Sequence, residues 1–352
     1  MSYKLNNKLK NLVPYEPVQG NYKIRLDANE SFYNLSDEMK KKICKSISEL
    51  DFNRYPDPMS LKPVKAFSEF YNIDMDNITA GNGSDELISI ISSCFFESGN
   101  TIVNVSNDFS MYDFYGHLYE LSVKTYKKSE DLTIDADKLI SFCKENNADG
   151  LIFSNPCNPT GQGLDRDTIL KIVRSLPDTL VIVDEAYMDF WNQSVLDKVN
   201  DFDNLIILKT CSKAIGMAAV RFGFAVSNKT LTRAFRAAKS PYNNDTVAQT
   251  IVYDILSEKD YLVQRKNTII KNTENLYEQL TDIQNTFGCF EKVYTTCTNF
   301  VLIKTAKYND IYEYLLEKSV AIRKFNGYLR ITAGSEEENN TVVSLIKEFF
   351  SK

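Results

Sequence analysis

The apolar positions of the chain fall into short runs separated by longer amphipathic stretches. Runs rich in β-branched residues predict strands at residues 101–105, 151–156, 180–187, 205–210 and 222–227. Several of these runs are apolar at consecutive positions, which is typical of parallel strands covered on both faces. The pattern therefore predicts a mostly parallel sheet.

Helical spacing of apolar residues marks the segments between these runs. The stretch 36–50 opens with Ser36 in the N-cap position and acidic residues in the first turn, and 84–99 is more apolar and ends at Gly99. Residues 164–176 continue the pattern between two predicted strands. Alternation of strands and helices predicts an α/β fold with helices on both sides of the sheet.

The pattern changes beyond Pro241. Long polar helices are predicted over 245–280, followed by the run FVLIK, a helix near 309–318, the runs AIRKF and YLRITAG, and a last helix at 336–350. This order predicts a smaller α+β domain. We expect an N-terminal arm at 1–28, a large domain at 29–240 and a small C-terminal domain at 241–352.

The composition excludes several classes of protein. A net charge of -6 argues against a nucleic-acid partner, because binding the phosphate backbone requires a basic face. The sequence shows no secretory signal and no run of eighteen apolar residues, so we expect a cytoplasmic protein with no membrane contact. Seven scattered cysteines without a C-x-x-C pair indicate neither a disulfide framework nor a metal site.

The chain has a single histidine, His117. Hydrolases with a histidine base and metal sites with several imidazoles would all depend on that one residue. His117 lies in the helix-like aromatic stretch MYDFYGHLYEL, where packing or a surface position is the better interpretation. If the protein is an acid–base enzyme, a residue other than histidine moves the proton.

Polar residues lie at the end of three of the predicted strands or shortly after it: Asn158, Asp184, Tyr187 and Lys213. In an open parallel sheet, ligands bind at the carboxyl ends of the strands, so we expect these side chains to meet. A lysine beside a carboxylate, an amide and a phenol suits imine chemistry with an aldehyde cofactor. The set predicts pyridoxal 5'-phosphate.

Each reactive group of that cofactor has a candidate partner. Lys213 would bond the aldehyde, and Asp184 would keep a proton on the ring nitrogen, because a carboxylate and a pyridinium favour each other's charged form. Asn158 and Tyr187 can donate hydrogen bonds to the phenolic oxygen. The phosphate would be held by the helix start at Ser84 and Asp85 and by Thr210, Ser212 and Arg221.

Nine motifs in order along nearly the whole chain carry a family resemblance. They are LDANE (26–30), RYPD (54–57), GNGSDE (81–86), DFSMY (108–112), NPCNPTG (155–161), DEAY (184–187), TCSKAIGMAAVRFGF (210–224), SPYNNDTVAQ (240–249) and YLRITAGSEEEN (328–339). In these motifs the chain resembles the histidinol-phosphate aminotransferases, a family of class II aminotransferases within the fold-type-I pyridoxal-phosphate enzymes. The resemblance implies that fold, with a large domain around a mostly parallel sheet and a smaller α+β domain.

The resemblance also implies roles for individual residues. Lys213, Asp184 and Tyr187 would be catalytic, and Phe109 would stack on the cofactor ring. Tyr55 of RYPD would reach the cofactor phosphate of the neighbouring subunit, which implies a homodimer. At the substrate, the implied residues are Arg330, Arg323, Tyr15 and Asn29.

The implied reaction is reversible amino transfer between L-histidinol phosphate and 2-oxoglutarate in histidine biosynthesis. The role of Arg330 is also supported by its chemistry, because one guanidinium can bind either a carboxylate or a phosphate ester. An aromatic amino acid aminotransferase and, more distantly, a threonine-phosphate decarboxylase remain alternatives, since they share all the cofactor residues. A DNA-binding regulator on the same scaffold would need an added domain, for which the arm before LDANE is too short.

Two cysteines depart from the family pattern. Cys157 stands where relatives have asparagine, and Cys211 occupies an apolar position before Ser212. We expect both thiols to be inert packing groups, with oxidation sensitivity as the alternative.

Overall fold

The computed structural model describes residues 3–10, 12 and 18–351. Its seven-stranded sheet has the order β2-β8-β7-β6-β5-β3-β4. The strands are β2 (Ile78–Gly81), β3 (Thr101–Val105), β4 (Ser122–Tyr126), β5 (Gly150–Ser154), β6 (Leu180–Asp184), β7 (Leu205–Thr210) and β8 (Gly223–Ser227). β8 pairs antiparallel with β2 and β7, and the other four pairs of the described sheet are parallel, so the prediction of a mostly parallel sheet is confirmed.

Helices cover both faces of this sheet. They are α2 (Asp37–Ser48), α3 (Leu61–Tyr71), α4 (Gly83–Cys94), α5 (Met111–Leu118), α6 (Ala136–Glu145), α7 (Arg166–Ser175), α8 (Lys229–Ala238) and α9 (Thr246–Leu256); a short helix, α1 (Asn7–Lys10), precedes them. Alternate residues of one strand enter different cores: Val181 and Val183 pack on one face, and Ile182 packs on the other. Burial on both faces explains why these strands are apolar at consecutive positions.

A second, five-stranded sheet has the order β1-β11-β12-β10-β9. Its strands are β1 (Ile24–Leu26), β9 (Lys292–Val293), β10 (Phe300–Lys304), β11 (Val320–Phe325) and β12 (Tyr328–Thr332). The helices α10 (Lys259–Phe287), α11 (Tyr308–Glu317) and α12 (Glu336–Ser351) pack on it around Leu276, Leu315 and Ile346.

Two segments bear on how the chain divides. β1, within the predicted arm, pairs in parallel with β11 of the small sheet. α9, beyond the predicted boundary at 240, packs Val252 and Ile255 into the core of the large sheet. The division into an arm at 1–28 and domains at 29–240 and 241–352 stays a prediction.

None of the described helices combines the length and apolarity needed to cross a membrane.

Candidate active site

A cavity of about 510 Å³ lies at the carboxyl ends of β5, β6 and β7. The segment after β1 and the strands β11 and β12 contribute further lining residues, so both sheets build it. It contains nearly all the side chains that the sequence assigned to cofactor and substrate: Asn29, Ser84, Asp85, Phe109, Asn158, Asp184, Tyr187, Thr210, Ser212, Lys213, Arg221, Arg323 and Arg330.

One end of the cavity is suited to a phosphate group. α4 begins there without a side-chain cap, which leaves backbone N–H groups of its first turn available to an anion. The Thr210 hydroxyl donates to Ser212 Oγ at 3.1 Å, and Arg221 Nη1 lies 3.5 Å from the same oxygen. Arg221 Nη2 also pairs with Asp85 Oδ2 at 3.1 Å, which holds the guanidinium beside the helix start.

A glycine lets strand and helix approach closely at this end. A Cβ atom on Gly223 would lie 2.7 Å from both the carbonyl carbon of Gly83 and the backbone nitrogen of Ser84. Both atoms belong to the backbone and cannot move aside as a flexible side chain could. Gly223 therefore allows β8 to pack against the first turn of α4.

Asp184 lies at the end of β6 with 3% of its surface exposed. Tyr112 donates its hydroxyl to Asp184 Oδ2 at 2.9 Å, and the Ala186 backbone N–H donates to Oδ1 at 3.0 Å. Burial raises the pKa of this carboxyl to about 6, against the lowering effect of these two hydrogen bonds. Such a carboxylate gains from a cationic partner in the cavity.

Lys213 follows β7 and is partly buried in the cavity. Its Nζ donates to the backbone oxygen of Ala28 at 2.9 Å and lies 5.7 Å from the centre of the Tyr187 ring. Asn29 Nδ2 donates to the Tyr187 hydroxyl oxygen at 2.8 Å. The hydroxyl hydrogen of Tyr187 therefore remains available for a ligand oxygen.

Arg330 joins the two sides of the cavity. It is 6% exposed, and its guanidinium donates to Asn158 Oδ1 and, at 2.6 Å, to the backbone oxygen of Asp27. Arg323 lies directly opposite Arg330 in the register of β11 and β12. The cavity thus has a second cationic region, separate from Arg221.

Several contributors could not be assigned from sequence motifs alone. Asp108 accepts hydrogen bonds from the backbone N–H and hydroxyl of Ser154, and the Ser154 hydroxyl oxygen accepts from the Asn158 N–H at 3.2 Å. Burial raises the pKa of the Asp108 carboxyl. Asp108 and Tyr112 both lie in the motif DFSMY, which follows the predicted strand at 101–105. That position was the signal from which a place in the site could have been predicted.

Some predicted residues lie elsewhere. Tyr55 is 81% exposed and stacks on Tyr242 with ring centres 4.6 Å apart, outside the cavity. Tyr15 lies outside the described residues. His117 is exposed and its Nδ1 contacts the backbone oxygen of Asp113 at 2.7 Å.

The two unusual cysteines differ in their surroundings. Cys157 Sγ accepts a hydrogen bond from Lys128 Nζ at 3.0 Å, whereas Cys211 packs in the core of the large sheet. Burial raises the thiol pKa of both. Neither is predominantly a thiolate near neutral pH, in keeping with a packing role.

Known proteins resemble the chain over most of its length. The sequence model of the family "Aminotransferase class I and II" matches residues 21–346. Histidinol-phosphate aminotransferases of Clostridium novyi (strain NT) and Pyrococcus furiosus are 41% and 35% identical, over 96% and 97% of this chain and 95% and 97% of their own.

Solved structures resemble it as well. The histidinol-phosphate aminotransferase of Sinorhizobium meliloti, solved in complex with pyridoxal-5'-phosphate, has a TM-score of 0.86 at 21% identity and covers 99% of both chains. That of Clostridium acetobutylicum has a TM-score of 0.83 at 22% identity, over 93% of this chain and 99% of its own. These likenesses confirm the predicted fold class, and with the sequence matches they show that the chain belongs to the class I and II aminotransferase family.

Proposed function

We propose that this protein transfers an amino group reversibly between L-histidinol phosphate and 2-oxoglutarate, with pyridoxal 5'-phosphate as cofactor, in histidine biosynthesis. One observation carries the proposal: a single cavity holds two separate cationic regions, at Arg221 and at Arg323 with Arg330. Lys213 lines the same cavity as both regions, and its Nζ donates to the backbone oxygen of Ala28. One region suits the cofactor phosphate, and the other suits the acidic group of a substrate.

The sequence relatives support this substrate. Histidinol-phosphate aminotransferases match the chain at 41%, 39% and 35% identity and extend over almost its whole length. A substrate with a phosphate ester and a co-substrate with carboxylates also match the second cationic region, because a guanidinium binds either group with two hydrogen bonds.

The cavity residues fit the cofactor. The α4 N-terminus with Thr210, Ser212 and Arg221 would hold its phosphate, and Phe109 would cover a ring face. Tyr187 and Asn158 would donate hydrogen bonds to its phenolic oxygen. Asp184 would pair with its protonated ring nitrogen. The positive charge of that nitrogen would stabilise the ionised form of this buried carboxylate.

When bound, pyridoxal phosphate supplies an aldehyde that bonds amines and a ring that withdraws electrons from the reacting carbon. Lys213 Nζ would hold the aldehyde and, as a free amine, would move a proton at the substrate α-carbon. Arg330 would fix the substrate acidic group, so that the α-carbon lies within reach of Nζ.

A homodimer and a cytoplasmic location belong to the same proposal. The exposed ring pair of Tyr55 and Tyr242 supports the dimer, because large aromatic side chains on a surface often mark an interface. Tyr55 would reach the cofactor phosphate in the neighbouring subunit.

The experiment is a stopped-flow panel of amino donors, in which the absorbance of the bound cofactor reports each half-reaction. We expect L-histidinol phosphate to react with a much higher kcat/KM than L-phenylalanine or L-tyrosine. A preference for the aromatic amino acids would indicate an aromatic aminotransferase instead, and carbon dioxide release from threonine phosphate would indicate a decarboxylase.

Lys213→Ala supplies the mechanistic control for the panel. We expect turnover to fall by roughly a hundredfold to ten-thousandfold, the usual contribution of a positioned acid–base group. Lys292→Ala, which removes a surface lysine paired with Asp131, should leave the rates unchanged. Normal turnover in Lys213→Ala would contradict the mechanism.

A further inference from the structure

Lys128 lies outside the described lining of the active-site cavity but joins two loops that form it. It is the second residue after β4, and its Nζ donates to the backbone oxygen of Asn107 at 3.1 Å and to Cys157 Sγ at 3.0 Å. The Cys157 thiol donates to the same Asn107 oxygen at 3.4 Å. These three atoms form a closed triangle that joins the loops after β4, β3 and β5, which are neighbours in the sheet.

The triangle requires a neutral thiol. Burial raises the pKa of Cys157, so the thiol keeps its hydrogen near neutral pH and can donate it to Asn107 while Sγ accepts from Lys128. The backbone N–H of Lys128 donates to Ser106 Oγ at 3.0 Å. The lysine is therefore held by both its backbone and its side chain.

The two loops that Lys128 joins continue directly into the cofactor site. On one loop Asp108 and Phe109 come next, and the Phe109 backbone N–H donates to Asp108 Oδ1 at 2.7 Å. On the other loop Asn158 comes next. The loops meet again in the cavity wall, where Asp108 accepts from the backbone N–H and hydroxyl of Ser154, and Ser154 Oγ accepts from the Asn158 N–H. Two layers of hydrogen bonds thus fix Phe109 and Asn158 relative to each other.

The charge of Lys128 supports the layer in the cavity wall. Burial raises the pKa of Asp108, and the ammonium group of Lys128 acts against that rise. A nearby cation favours the ionised carboxylate, which accepts from Ser154 and Phe109 on both of its oxygens. Removal of Lys128 would therefore weaken both layers.

The side chain of Asn158 shows what this positioning would serve. Its Oδ1 accepts from Arg330, so Nδ2 is the end that can donate to a ligand. In the proposed function, that ligand atom is the phenolic oxygen of the cofactor. Hydrogen bonds weaken steeply when their distance and angle depart from the preferred geometry. The strength of this bond therefore depends on where the loop that carries Asn158 is held.

We propose that Lys128 is a positioning residue for the cofactor: it joins the two loops so that Asn158 donates to the phenolic oxygen and Phe109 covers the ring. This inference rests on the proposed function, to which the roles of Asn158 and Phe109 belong. Lys128 itself acts only through these two residues.

The test compares the wild type with Lys128→Met, which keeps an unbranched side chain and removes the ammonium group. We expect the dissociation constant for pyridoxal phosphate to rise by about tenfold, which corresponds to one hydrogen bond. We also expect the pH midpoint of the colour change of the bound cofactor to rise by about one unit. Without a donor at the phenolic oxygen, the adjacent imine nitrogen holds its proton more tightly.

Three variants keep this test interpretable. Lys127→Met removes the neighbouring, exposed lysine and should change neither quantity. Lys128→Arg keeps the cation and its donors, so it should restore most of the affinity and of the midpoint. Lys128→Gln keeps donors without the charge; it serves if Lys128→Met folds poorly and should show smaller changes of the same sign.

A double variant with Asn158→Ala distinguishes positioning from general stability. If Lys128 acts through Asn158, Lys128→Met should not raise the midpoint further once Asn158 is alanine, because the positioned hydrogen bond is already absent. Midpoint shifts that add in the double variant would overturn the inference. So would an unchanged midpoint in Lys128→Met, whether or not the affinity falls.

The wild type and Asn158→Ala separate this failure from failure of the proposed function. If the wild type binds no cofactor, or if Asn158→Ala leaves the midpoint unchanged, the proposed site is wrong and the inference falls with it. If Asn158→Ala raises the midpoint and Lys128→Met does not, only the role of Lys128 is wrong.

Discussion

Asp184 carries a negative charge that its protein surroundings alone balance poorly. Two hydrogen bonds, from Tyr112 and Ala186, partly offset its burial, yet burial dominates and raises the pKa from 3.8 to about 6. A carboxyl with a raised pKa binds its proton more tightly in the folded state than in the unfolded state. The folded apoprotein is therefore favoured by acid at this residue and loses that advantage as the pH rises.

This sign gives a prediction for the apoprotein. Between about pH 4 and pH 6 the titration of Asp184 should lower the free energy of unfolding by up to about 3 kcal/mol, from two pKa units. Asp184→Asn removes this titration. The difference in the free energy of unfolding between wild type and variant should therefore change by that amount over this pH range. Urea unfolding of both apoproteins across this pH range measures it.

A bound cofactor supplies the internal control. The holoenzyme should lack most of this decline, because a ring cation would stabilise the ionised carboxylate. Parallel pH profiles of the wild-type and variant apoproteins would show that the Asp184 pKa is not raised.

At the scale of elements, β8 and the first turn of α4 lie so close together that there is no room for a side chain at Gly223. Gly223→Ala would insert a methyl group 2.7 Å from backbone atoms of Gly83 and Ser84, so the first turn of α4 has to shift. We expect the dissociation constant for pyridoxal phosphate to rise by about tenfold to a hundredfold, in line with the usual cost of overpacking. Titration of the apoprotein with cofactor, followed by absorbance, measures the change.

Gly288→Ala is the matched control for this substitution. Gly288 ends α10 at a φ of 60°, so alanine there costs stability through backbone strain, and no atom lies near its Cβ position. This variant should unfold more easily than the wild type yet keep its cofactor affinity. Equal affinity loss in both variants would mean that Gly223 acts only through global stability.

The same elements show what the sequence could and could not predict. β3 and β7 were predicted to the residue, because their apolar runs are bounded by polar residues. β4, with the sequence SVKTY, was missed because it lies at the sheet edge and is half polar. The pairing of β1 with β11 joins residues about three hundred positions apart, and no local pattern encodes such a contact.

The site follows the same division. The sequence placed Asp184 and Lys213 at strand ends and Arg221 in the motif of the lysine, and the structure brings all three into one cavity. The hydrogen bonds from Tyr112 to Asp184 and from Arg330 to the backbone oxygen of Asp27 depend on side-chain geometry between distant segments. Such contacts become visible only once the chain is folded.

At the scale of the whole molecule, Tyr55 lies outside the described lining of the cavity. The ring is 81% exposed and stacked on Tyr242, so its hydroxyl is free to enter a neighbouring site. We expect the holoenzyme to sediment at twice the mass of the chain. Tyr55→Phe keeps the ring and should keep the dimer, but should raise the dissociation constant for pyridoxal phosphate by about tenfold through loss of one hydrogen bond.

Tyr253→Phe, at another exposed tyrosine, is the control for this last substitution and should change neither quantity. Sedimentation and cofactor titration of the same samples distinguish the possible failures. A monomer that holds its cofactor tightly would remove the shared site altogether. If the protein is a dimer whose affinity for pyridoxal phosphate does not depend on the Tyr55 hydroxyl, the dimer stands but Tyr55 does not bind the cofactor. The rings of Tyr55 and Tyr242 would then contribute only their buried area to the interface.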